Sequence, residues 1–308
     1  MRYGALITAA GMSSKTGNFK PMLTLGEISA AERIVATFRQ AGVERIAMVT
    51  GYNARELERH LGGSGIEFVR NENYETTQMF DSVKLGLEYL KDKCGAVFLT
   101  PVDIPLFTAK TVFALKASGA TLACPRCGGK SGHPILISSE LIGAIVSDAG
   151  TGGLQGALER CGERLAYVDV DDEGTLRDAD APEDFDKLIA CHNAQLVRPV
   201  VSVALGKEKI FFDDRAATLL QLICESQSVL EACRRMQMSY SAAWKTIRTL
   251  ESQGGKSLVH RSQGGAGGSA STLTPDGKAL LARYCDYRQK VRDYADALYR
   301  EQLQAFFN

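Results

Sequence analysis

Residues 7–21 have the types and the spacing that could bind phosphate groups. A short apolar run leads into small residues, hydroxyls and lysines in the order ITAAGMSSKTGNFKP. Small residues let backbone N–H groups approach a polyanion, and Lys15 and Lys20 can neutralise its charge. The spacing fits neither the Walker A loop nor the dinucleotide motif G-x-G-x-x-G. We therefore predict a nucleotide-binding loop of another kind.

Two groups of carboxylates follow later apolar runs. Asp103 stands in FLTPVDIP directly after a predicted strand, where it can hold a Mg²⁺ ion that bridges phosphates or simply make a turn before proline. The second group, RDADAPEDF, contains Asp178 and Asp180. Asp180 can cap a helix that has Pro182 in its first turn, but capping does not account for Asp178 as well.

Three further segments between and around these groups could carry chemistry. His133 precedes a predicted strand in GGKSGHPILIS, where it can be structural or face a substrate. A glycine-lined turn from Asp148 into a helix could accept an anion. Cys124 and Cys127 form a C-x-x-C, but only His133 lies close enough in sequence to add a zinc ligand. We interpret this pair as a chance spacing in a loop, with metal or redox work as the alternative.

The elements that must position these residues form an alternating pattern up to about Gln195. Predicted strands cover 3–7, 46–49, 66–69, 96–100 and 165–170, and predicted helices cover 31–41, 54–61 and 79–90. This alternation predicts an α/β fold with a doubly wound, mostly parallel sheet. Ligands of such sheets bind at the carboxyl ends of the strands, where the opening loop and Asp103 would both lie.

Several motifs of this region resemble the MobA/MocA-like nucleotidyltransferases, most closely the molybdopterin cytidylyltransferase branch. They are ITAAGMSSKTGNFKP, VTGY, NENYETTQMFDSVKLGL, LTPVDIP, SGHPILIS and RDADAPEDF, and they occur in the family's order. The resemblance implies a Mg²⁺-dependent transfer of CMP from CTP to a molybdopterin-type cofactor with release of pyrophosphate. Ala10 favours CTP over GTP, because the guanylyl-transferring branch usually has a second glycine there.

The resemblance also implies roles for individual residues. Ala9, Ala10, Gly11, Ser13, Lys15, Lys20 and Ser82 would bind the nucleotide; Lys15, Lys20 and Asp103 would be catalytic; Asp103 and Asp180 would hold Mg²⁺; His133 and Pro134 would face the pterin. A phosphate monoester is largely deprotonated at neutral pH, so it can attack the α-phosphorus of CTP without a separate base. Lys15 stands where the family has arginine, and lysine lacks the bidentate fork for phosphate. A domain that only senses nucleotide or cofactor is therefore the alternative.

Residues 196–308 differ from the first region in charge and in pattern. They carry 16 Lys and Arg against 11 Asp and Glu, whereas residues 1–195 carry 20 against 25. Pro199 marks the boundary that we predict between domains 1–195 and 196–308. Predicted helices at 216–225, 229–236 and 240–252, followed by two strand-like segments around a Gly/Ser tip, favour a winged helix-turn-helix.

The third of these helices and the wing carry groups that suit phosphates and base edges. The candidate DNA-binding residues are Ser239, Tyr240, Ser241, Lys245, Arg248 and Arg261. The motifs MSYSAAWKTIRTLES and LVHRSQGGAGGSASTLTPDGKALLARY resemble the N-terminal DNA-binding domain of the ModE regulators. The resemblance implies binding to double-stranded DNA and regulation of molybdenum-related genes. The alternatives are a solvated basic face and a domain that serves only for dimerisation.

The last predicted helix, 276–303, has apolar and aromatic residues at alternating steps of 4 and 3. They are Leu280, Tyr284, Tyr287, Val291, Tyr294 and Leu298. The ModE resemblance implies a homodimer through this helix, and packing against its own domain is the alternative. No apolar run approaches the ~20 residues of a membrane span, and no signal-peptide pattern is present, so we expect a cytoplasmic protein without membrane contact.

Overall fold

The protein divides into two compact units that separate between residues 197 and 198. The computed structural model describes residues 2–11, 19–43, 45–61, 65–178, 186–195, 197, 199–261 and 271–307. Among these residues, no helix is both long and apolar enough to cross a membrane.

The first unit alternates strands and helices. Its strands are β1 (Tyr3–Ala9), β2 (Thr24–Leu25), β3 (Ile28–Ser29), β4 (Arg45–Thr50), β5 (Glu67–Arg70), β6 (Ala96–Pro101), β7 (Leu122–Cys127), β8 (Lys130–Ser131), β9 (Ile135–Ser138) and β10 (Ala166–Asp169). Its helices are α1 (Ala30–Gln40), α2 (Ala54–Leu61), α3 (Met79–Leu90), α4 (Ala109–Ala117), α5 (Ser139–Ser147), α6 (Gly153–Arg160) and α7 (Asp186–Gln195).

The main sheet has eight strands, in the order β10-β7-β9-β6-β1-β4-β5 with β8 paired to β7. β1 pairs in parallel with both β4 and β6. β9 instead runs antiparallel to β6 and β7. The predicted doubly wound, mostly parallel sheet is therefore confirmed. Because β9 is reversed, its first residue, Ile135, lies opposite Leu99 near the carboxyl end of β6.

Successive side chains of β1 point to opposite faces of the sheet, so each face packs against its own helices. Ile7 belongs to the buried cluster that contains Phe38 of α1. Leu6 belongs to the cluster that contains Val83 of α3. α3 lies so close to the sheet that a Cβ on Gly86 would overlap the Leu6 side chain. Glycine at this position lets the middle of α3 pack against the central strand.

The second unit is mostly helical: its described residues form a short antiparallel strand pair, three helices, a two-stranded wing, one long helix and a short last helix. Its elements are β11 (Leu205–Gly206), β12 (Ile210–Phe212), α8 (Asp214–Ser226), α9 (Val229–Met236), α10 (Tyr240–Gly254), β13 (Val259–Arg261), β14 (Ser271–Leu273), α11 (Pro275–Gln302) and α12 (Gln304–Phe307). β13 and β14 pair antiparallel, as the arms of a wing do.

α11 is fastened to α8 by a polar cluster around Asp214. The Tyr284 hydroxyl donates to the Val203 carbonyl at 2.7 Å and to Asp214 Oδ1 at 2.9 Å. Arg288 and Arg292 donate to the same carboxylate, each at 3.0 Å. Burial and the neighbouring carboxylate raise the pKa of Tyr284 above its usual value, which keeps the phenol protonated as a donor.

The predicted seam on α11 therefore has two different surroundings. Leu280, Tyr284 and Val291 pack against the core of their own unit. Tyr287 and Tyr294 are 52% and 67% exposed. The alternative interpretation, packing of the helix on its own domain, holds for Leu280, Tyr284 and Val291.

In the first unit, α7 is anchored to α1 by a buried cation and a buried histidine. Arg33, which is 1% exposed, donates from Nε to the Leu25 carbonyl at 2.7 Å. Its Nη1 lies 3.1 Å from His192 Nδ1, and Thr37 Oγ1 lies 3.1 Å from His192 Nε2. Burial, and to a smaller extent the Arg33 charge, lowers the pKa of His192 to about 4.

We predict that this histidine makes the first unit sensitive to acid. Between pH 6.5 and pH 4, His192 is neutral in the folded chain but protonated in the unfolded chain, so stability falls as the pH falls and is flat above that window. The loss approaches about 3 kcal/mol at the lower end. Scanning calorimetry from pH 4 to pH 7 measures it, with fluorescence of Trp244 following the second unit separately.

His192→Gln is expected to flatten this pH dependence, and His260→Gln, at an exposed position of the wing, is the matched control. An unchanged slope in His192→Gln would contradict the assignment.

Candidate functional site

Three charged side chains meet at the carboxyl edge of the sheet. Lys20 opens a short 3-10 turn, Lys20–Met22, that follows the loop after β1. Its Nζ lies 3.5 Å from Asp103 Oδ2 and 3.2 Å from Asp178 Oδ1. Asp103 follows β6, which is the neighbour of β1. The chain thus brings together two carboxylates from distant segments and holds them around one ammonium group.

The remaining residues of the predicted loop are described only in part. Ala9 and Ala10 are buried at the end of β1, and Gly11 is exposed directly after them. Ser13 and Lys15 lie outside the described residues. Asp180 also lies outside them, so its predicted metal role is untested. Asp178, which the sequence did not select as a ligand, lies within salt-bridge distance of Lys20.

Aromatic rings line the place where the loop leaves β1. The Tyr52 backbone N–H donates to the Ala10 carbonyl at 3.0 Å. The Tyr52 ring makes edge contacts with Phe19 at 5.9 Å and with Tyr74 at 6.4 Å between centroids. A Cβ on Gly51 would lie 2.6 Å from the Ala10 oxygen and 2.7 Å from the Tyr74 Cβ. Only glycine lets these segments approach so closely.

Ser82 lies in the second turn of α3 and is 4% exposed. Its Oγ accepts a hydrogen bond from Asn71 Nδ2 at 3.0 Å. Asn71 follows β5, and its backbone N–H donates to the Thr50 carbonyl at the end of β4 at 2.8 Å. Sequence reasoning selected Ser82 but missed Asn71. The signal available was a polar residue directly after a strand, the same pattern that drew attention to Asp103.

His133 and Pro134 reach this edge because β9 is reversed. They immediately precede β9, and the start of β9 pairs with the end of β6. The His133 backbone N–H donates to the Thr175 carbonyl at 2.9 Å. Its Nδ1 is buried and has no hydrogen-bond partner among the described residues. Burial lowers the pKa of His133, so a neutral imidazole with one unused ring nitrogen lies near the carboxyl end of β6.

The sequence predicted a loop position for the C-x-x-C pair, but the structure places it in a strand. Cys124 and Cys127 lie in β7, and both are buried. Within the described ranges, no group of three or more His, Cys, Asp or Glu side chains could hold a metal ion. Both thiols lie in a buried strand, so packing in the core accounts for these two cysteines. Burial also raises the pKa of the Cys124 thiol, which makes it less reactive.

The glycine-lined turn before α6 is closed by an internal ion pair. Asp148 accepts from the Gly150 N–H at 2.8 Å and from Arg160 at 2.8 and 2.9 Å. These hydrogen bonds lower the pKa of Asp148 to about 2. The turn that we expected to accept an anion thus has a carboxylate of the chain as the partner of its Gly150 N–H.

In the second unit, one face of α10 is packed and the other is open. Ala243, Trp244, Ile247 and Leu250 are buried against the core. Ser239 caps the helix by accepting the Ala242 N–H at 3.2 Å. The exposed candidate DNA-binding residues are Ser239, Tyr240, Ser241, Lys245 and Arg248. The backbone of Arg261 ends β13, and its side chain lies outside the described part of the chain.

Two basic side chains close in sequence to α10 are ion-paired within the unit, whereas the basic side chains of α10 itself differ. Arg235 pairs with Glu231 at 2.7 Å, and Lys256 pairs with Asp276 at 2.5 Å. Neither Lys245 nor Arg248 has an acidic partner among the described residues. Arg248 Nε donates to the Trp244 carbonyl at 3.2 Å, which holds the guanidinium against the helix.

By its fold, the first unit is of the α/β class with a doubly wound, mostly parallel sheet. Residues 5–165, more than half of the chain, match the family model of the MobA-like NTP transferase domain, so the chain belongs to that family and carries a nucleotidyltransferase domain.

The known proteins that resemble this domain include a curated enzyme and a solved structure. The molybdenum cofactor cytidylyltransferase of Escherichia coli (strain K12) is 31% identical over 185 residues, which are 58% of this chain and 92% of that protein. The crystal structure of a homologue of Mycobacterium tuberculosis rv0371c, from Mycobacterium sp. strain JC1, aligns with a TM-score of 0.52 at 25% identity, over 63% of this chain and 98% of that chain.

Residues 215–278 match the family model of bacterial regulatory helix-turn-helix proteins of the lysR family. The DNA-binding transcriptional dual regulator ModE of Escherichia coli (strain K12) is 33% identical over 78 residues, 25% of this chain and 30% of ModE. The relative thus supports the resemblance to ModE, while the assignment is corrected in one respect: the family model that matches this domain, which lies C-terminal to the transferase domain, is the lysR type.

We predict that Gly51→Ala destabilises the first unit, because the new methyl group would collide with the Ala10 carbonyl and with Tyr74. The expected loss in unfolding free energy is about 1–3 kcal/mol. Gly143→Ala, in α5, is the matched control, since its Cβ would meet only Lys91 atoms at 3.8 Å or more. That variant should be neutral or up to about 1 kcal/mol more stable. Calorimetry compares the two, and equal stabilities would refute the close-approach argument.

Proposed function

We propose that the first unit transfers CMP from CTP to a molybdopterin-type cofactor and releases pyrophosphate. The observation that carries this proposal is the meeting of Lys20, Asp103 and Asp178 at the carboxyl edge of a MobA-like sheet. Lys20, which follows the predicted nucleotide-binding loop, can neutralise the phosphates of a nucleoside triphosphate. The two carboxylates can bind the metal ion that accompanies the triphosphate. The likeness to a cytidylyltransferase and Ala10 support CTP as the donor.

The transfer requires positioning more than proton chemistry. An acceptor phosphate oxygen forms a bond to the α-phosphorus of CTP, the bond from that phosphorus to the bridging oxygen breaks, and pyrophosphate leaves with the electron pair. The acceptor is already deprotonated at neutral pH, so no general base is needed. Lys20 and, by its place in the loop, Lys15 neutralise charge that grows on the phosphates.

A magnesium ion fits the side chains at this edge. Carboxylate oxygens are the ligands that Mg²⁺ prefers, and Asp103 and Asp178 already share one cationic neighbour, Lys20. Asp103 would hold the ion together with Asp178 or Asp180. When bound, the ion supplies charge neutralisation to the triphosphate.

The acceptor would lie beside His133 and Pro134. The unpartnered Nδ1 of His133 is a buried polar atom that a ligand can satisfy. A neutral imidazole offers a hydrogen bond without adding charge near the two carboxylates. This suits a pterin ring, which carries both donors and acceptors.

We predict pyrophosphate release from CTP in the presence of Mg²⁺ and molybdopterin cofactor, in preference to GTP, ATP and UTP. Asp103→Asn should lower kcat by about 100-fold or more, because a charge that stabilises the reacting phosphates is lost. Glu159→Gln, an exposed carboxylate on α6, is the control and should keep full activity. A coupled pyrophosphate assay over the four nucleotides measures all of these rates.

Preference for GTP would contradict the argument from Ala10. Saturable nucleotide binding without any turnover would favour the alternative function, in which the domain only senses nucleotide or cofactor for the regulator behind it.

We further propose that the second unit binds double-stranded DNA through α10 and the wing and regulates molybdenum-related genes. The unpaired charges of Lys245 and Arg248, on the open face of α10, support this proposal. A homodimer through α11 is part of it. The rings of Tyr287 and Tyr294, which are exposed although neighbouring seam residues pack on the unit's own core, support that contact.

We predict that Arg248→Ala weakens binding to the DNA upstream of the protein's own gene by roughly 10-fold. Arg59→Ala, which removes the same charge from an exposed position of α2 in the first unit, should bind as the wild type does. Fluorescence anisotropy at two or more salt concentrations measures both affinity and its salt dependence. Equal weakening in both variants would mean that net charge, and not the α10 face, determines binding.

A further inference from the structure

The wing of the second unit is fastened to α10 by the side chain of Glu251. The Oε1 atom of Glu251 accepts the backbone N–H of Leu258 at 2.8 Å and that of Val259 at 3.2 Å. Leu258 precedes β13 and Val259 begins it, and they are only 3% and 7% exposed. Buried N–H groups need an acceptor within the protein. Glu251 is that acceptor, and it joins the last turn of α10 directly to the first strand of the wing.

The charge of Glu251 is out of place on a helix that binds DNA. Residues 233–262 contain six Lys and Arg residues, and Glu251 is the one Asp or Glu among them. It follows Arg248, a candidate DNA contact, by three residues on the same helix. A carboxylate near DNA phosphates weakens binding, because like charges repel. The hydrogen bonds to the wing give this carboxylate a role that attraction to DNA does not.

Other hydrogen bonds hold the remaining parts of the wing. The Ser271 N–H, at the start of β14, donates to the Gln227 carbonyl at the end of α8 at 3.0 Å. The Thr274 N–H, at the N-cap of α11, donates to the Leu258 carbonyl at 3.0 Å. These bonds tie the wing to α8 and to α11. The bonds of Glu251 are the ones in this set that tie it to α10.

We propose that Glu251 is a positioning residue, which holds the wing where β13 and α10 can contact the phosphates of one DNA duplex together. The inference rests on the proposed DNA binding of the second unit. The groups that would contact DNA are Lys245 and Arg248 on α10 and Arg261 at the end of β13. Phosphates of a duplex have a fixed spacing, so two elements bind them together only if their relative position is also fixed.

Two substitutions of Glu251 separate its hydrogen bonds from its charge. Glu251→Gln and Glu251→Leu both remove the negative charge, and both introduce good helix formers. Glutamine keeps a carbonyl oxygen that can accept from Leu258 and Val259, whereas leucine has no acceptor. On charge alone, both variants should bind DNA more tightly than the wild type. We expect Glu251→Gln to bind at least as tightly as the wild type and Glu251→Leu to bind roughly 5-fold more weakly.

Fluorescence anisotropy of the full chain, with a labelled duplex from the DNA upstream of the protein's own gene, measures these affinities at several salt concentrations. If the wing loses one phosphate contact, the slope of log affinity against log salt concentration becomes shallower by about 1 in Glu251→Leu and stays unchanged in Glu251→Gln. Fluorescence of Trp244, the only tryptophan, checks that the second unit is folded. Glu251→Ala replaces Glu251→Leu if the latter is unfolded at the assay temperature.

Arg261→Ala tests whether Glu251 acts through the wing. In the wild-type background this substitution should weaken DNA binding by roughly 5-fold. In the Glu251→Leu background it should cost little, because the wing no longer holds its position. In the Glu251→Gln background it should cost as much as in the wild type. Such non-additivity is expected only of residues that act together.

Two results would overturn the proposal. Equal affinities of Glu251→Gln and Glu251→Leu would mean that the hydrogen bonds to the wing do not affect DNA binding. An equal cost of Arg261→Ala in the wild-type and Glu251→Leu backgrounds would mean that Glu251 does not act through the wing. A wild-type chain that does not bind the duplex at any salt concentration would instead refute the proposed DNA binding itself, whatever the variants do.

Discussion

The parallel pairing of β1 with both β4 and β6 is the constraint on which the candidate site depends. Parallel neighbours end at one edge, so the segments after all three strands must meet there. Lys20 comes from the first of these segments, Tyr52 from the second and Asp103 from the third. The backbone hydrogen bonds of the sheet already bring the carboxyl ends of the three strands together. The loops therefore need no unusual conformation for these residues to lie close to one another.

Much of this arrangement could be predicted from the sequence, because the strongest signals were local. The helices predicted at 54–61 and 79–90 have the bounds of α2 and α3, since apolar periodicity is uninterrupted there. Asp103 was selected because a carboxylate directly after a strand can hold a Mg²⁺ ion that bridges phosphates. The expectation that the opening loop and Asp103 lie at one edge followed from the predicted parallel sheet, whose ligand site is at the carboxyl ends of the strands.

Other features depend on long-range pairing, which local patterns do not encode. The reversal of β9 is invisible in the run ILIS, because a buried strand has the same composition in either direction. Asn71 was missed because asparagine is common in turns, and only its three contacts distinguish it. The α11 seam was ambiguous, since apolar steps of 4 and 3 suit both a partner helix and the helix's own core.

Because of the reversed strand, the residues of the candidate site come from two separate parts of the chain. Lys20, Tyr52, Asn71 and Ser82 all come from the segments between β1 and α3, whereas His133 comes from the turn that joins β8 to β9. Residues 128–134 connect antiparallel neighbours, so this connection can change in length or composition without altering the order of the parallel strands. The fold is therefore modular: the part of the candidate site that comes from residues 128–134 can diversify during evolution while the part that comes from β1 to α3 keeps its geometry.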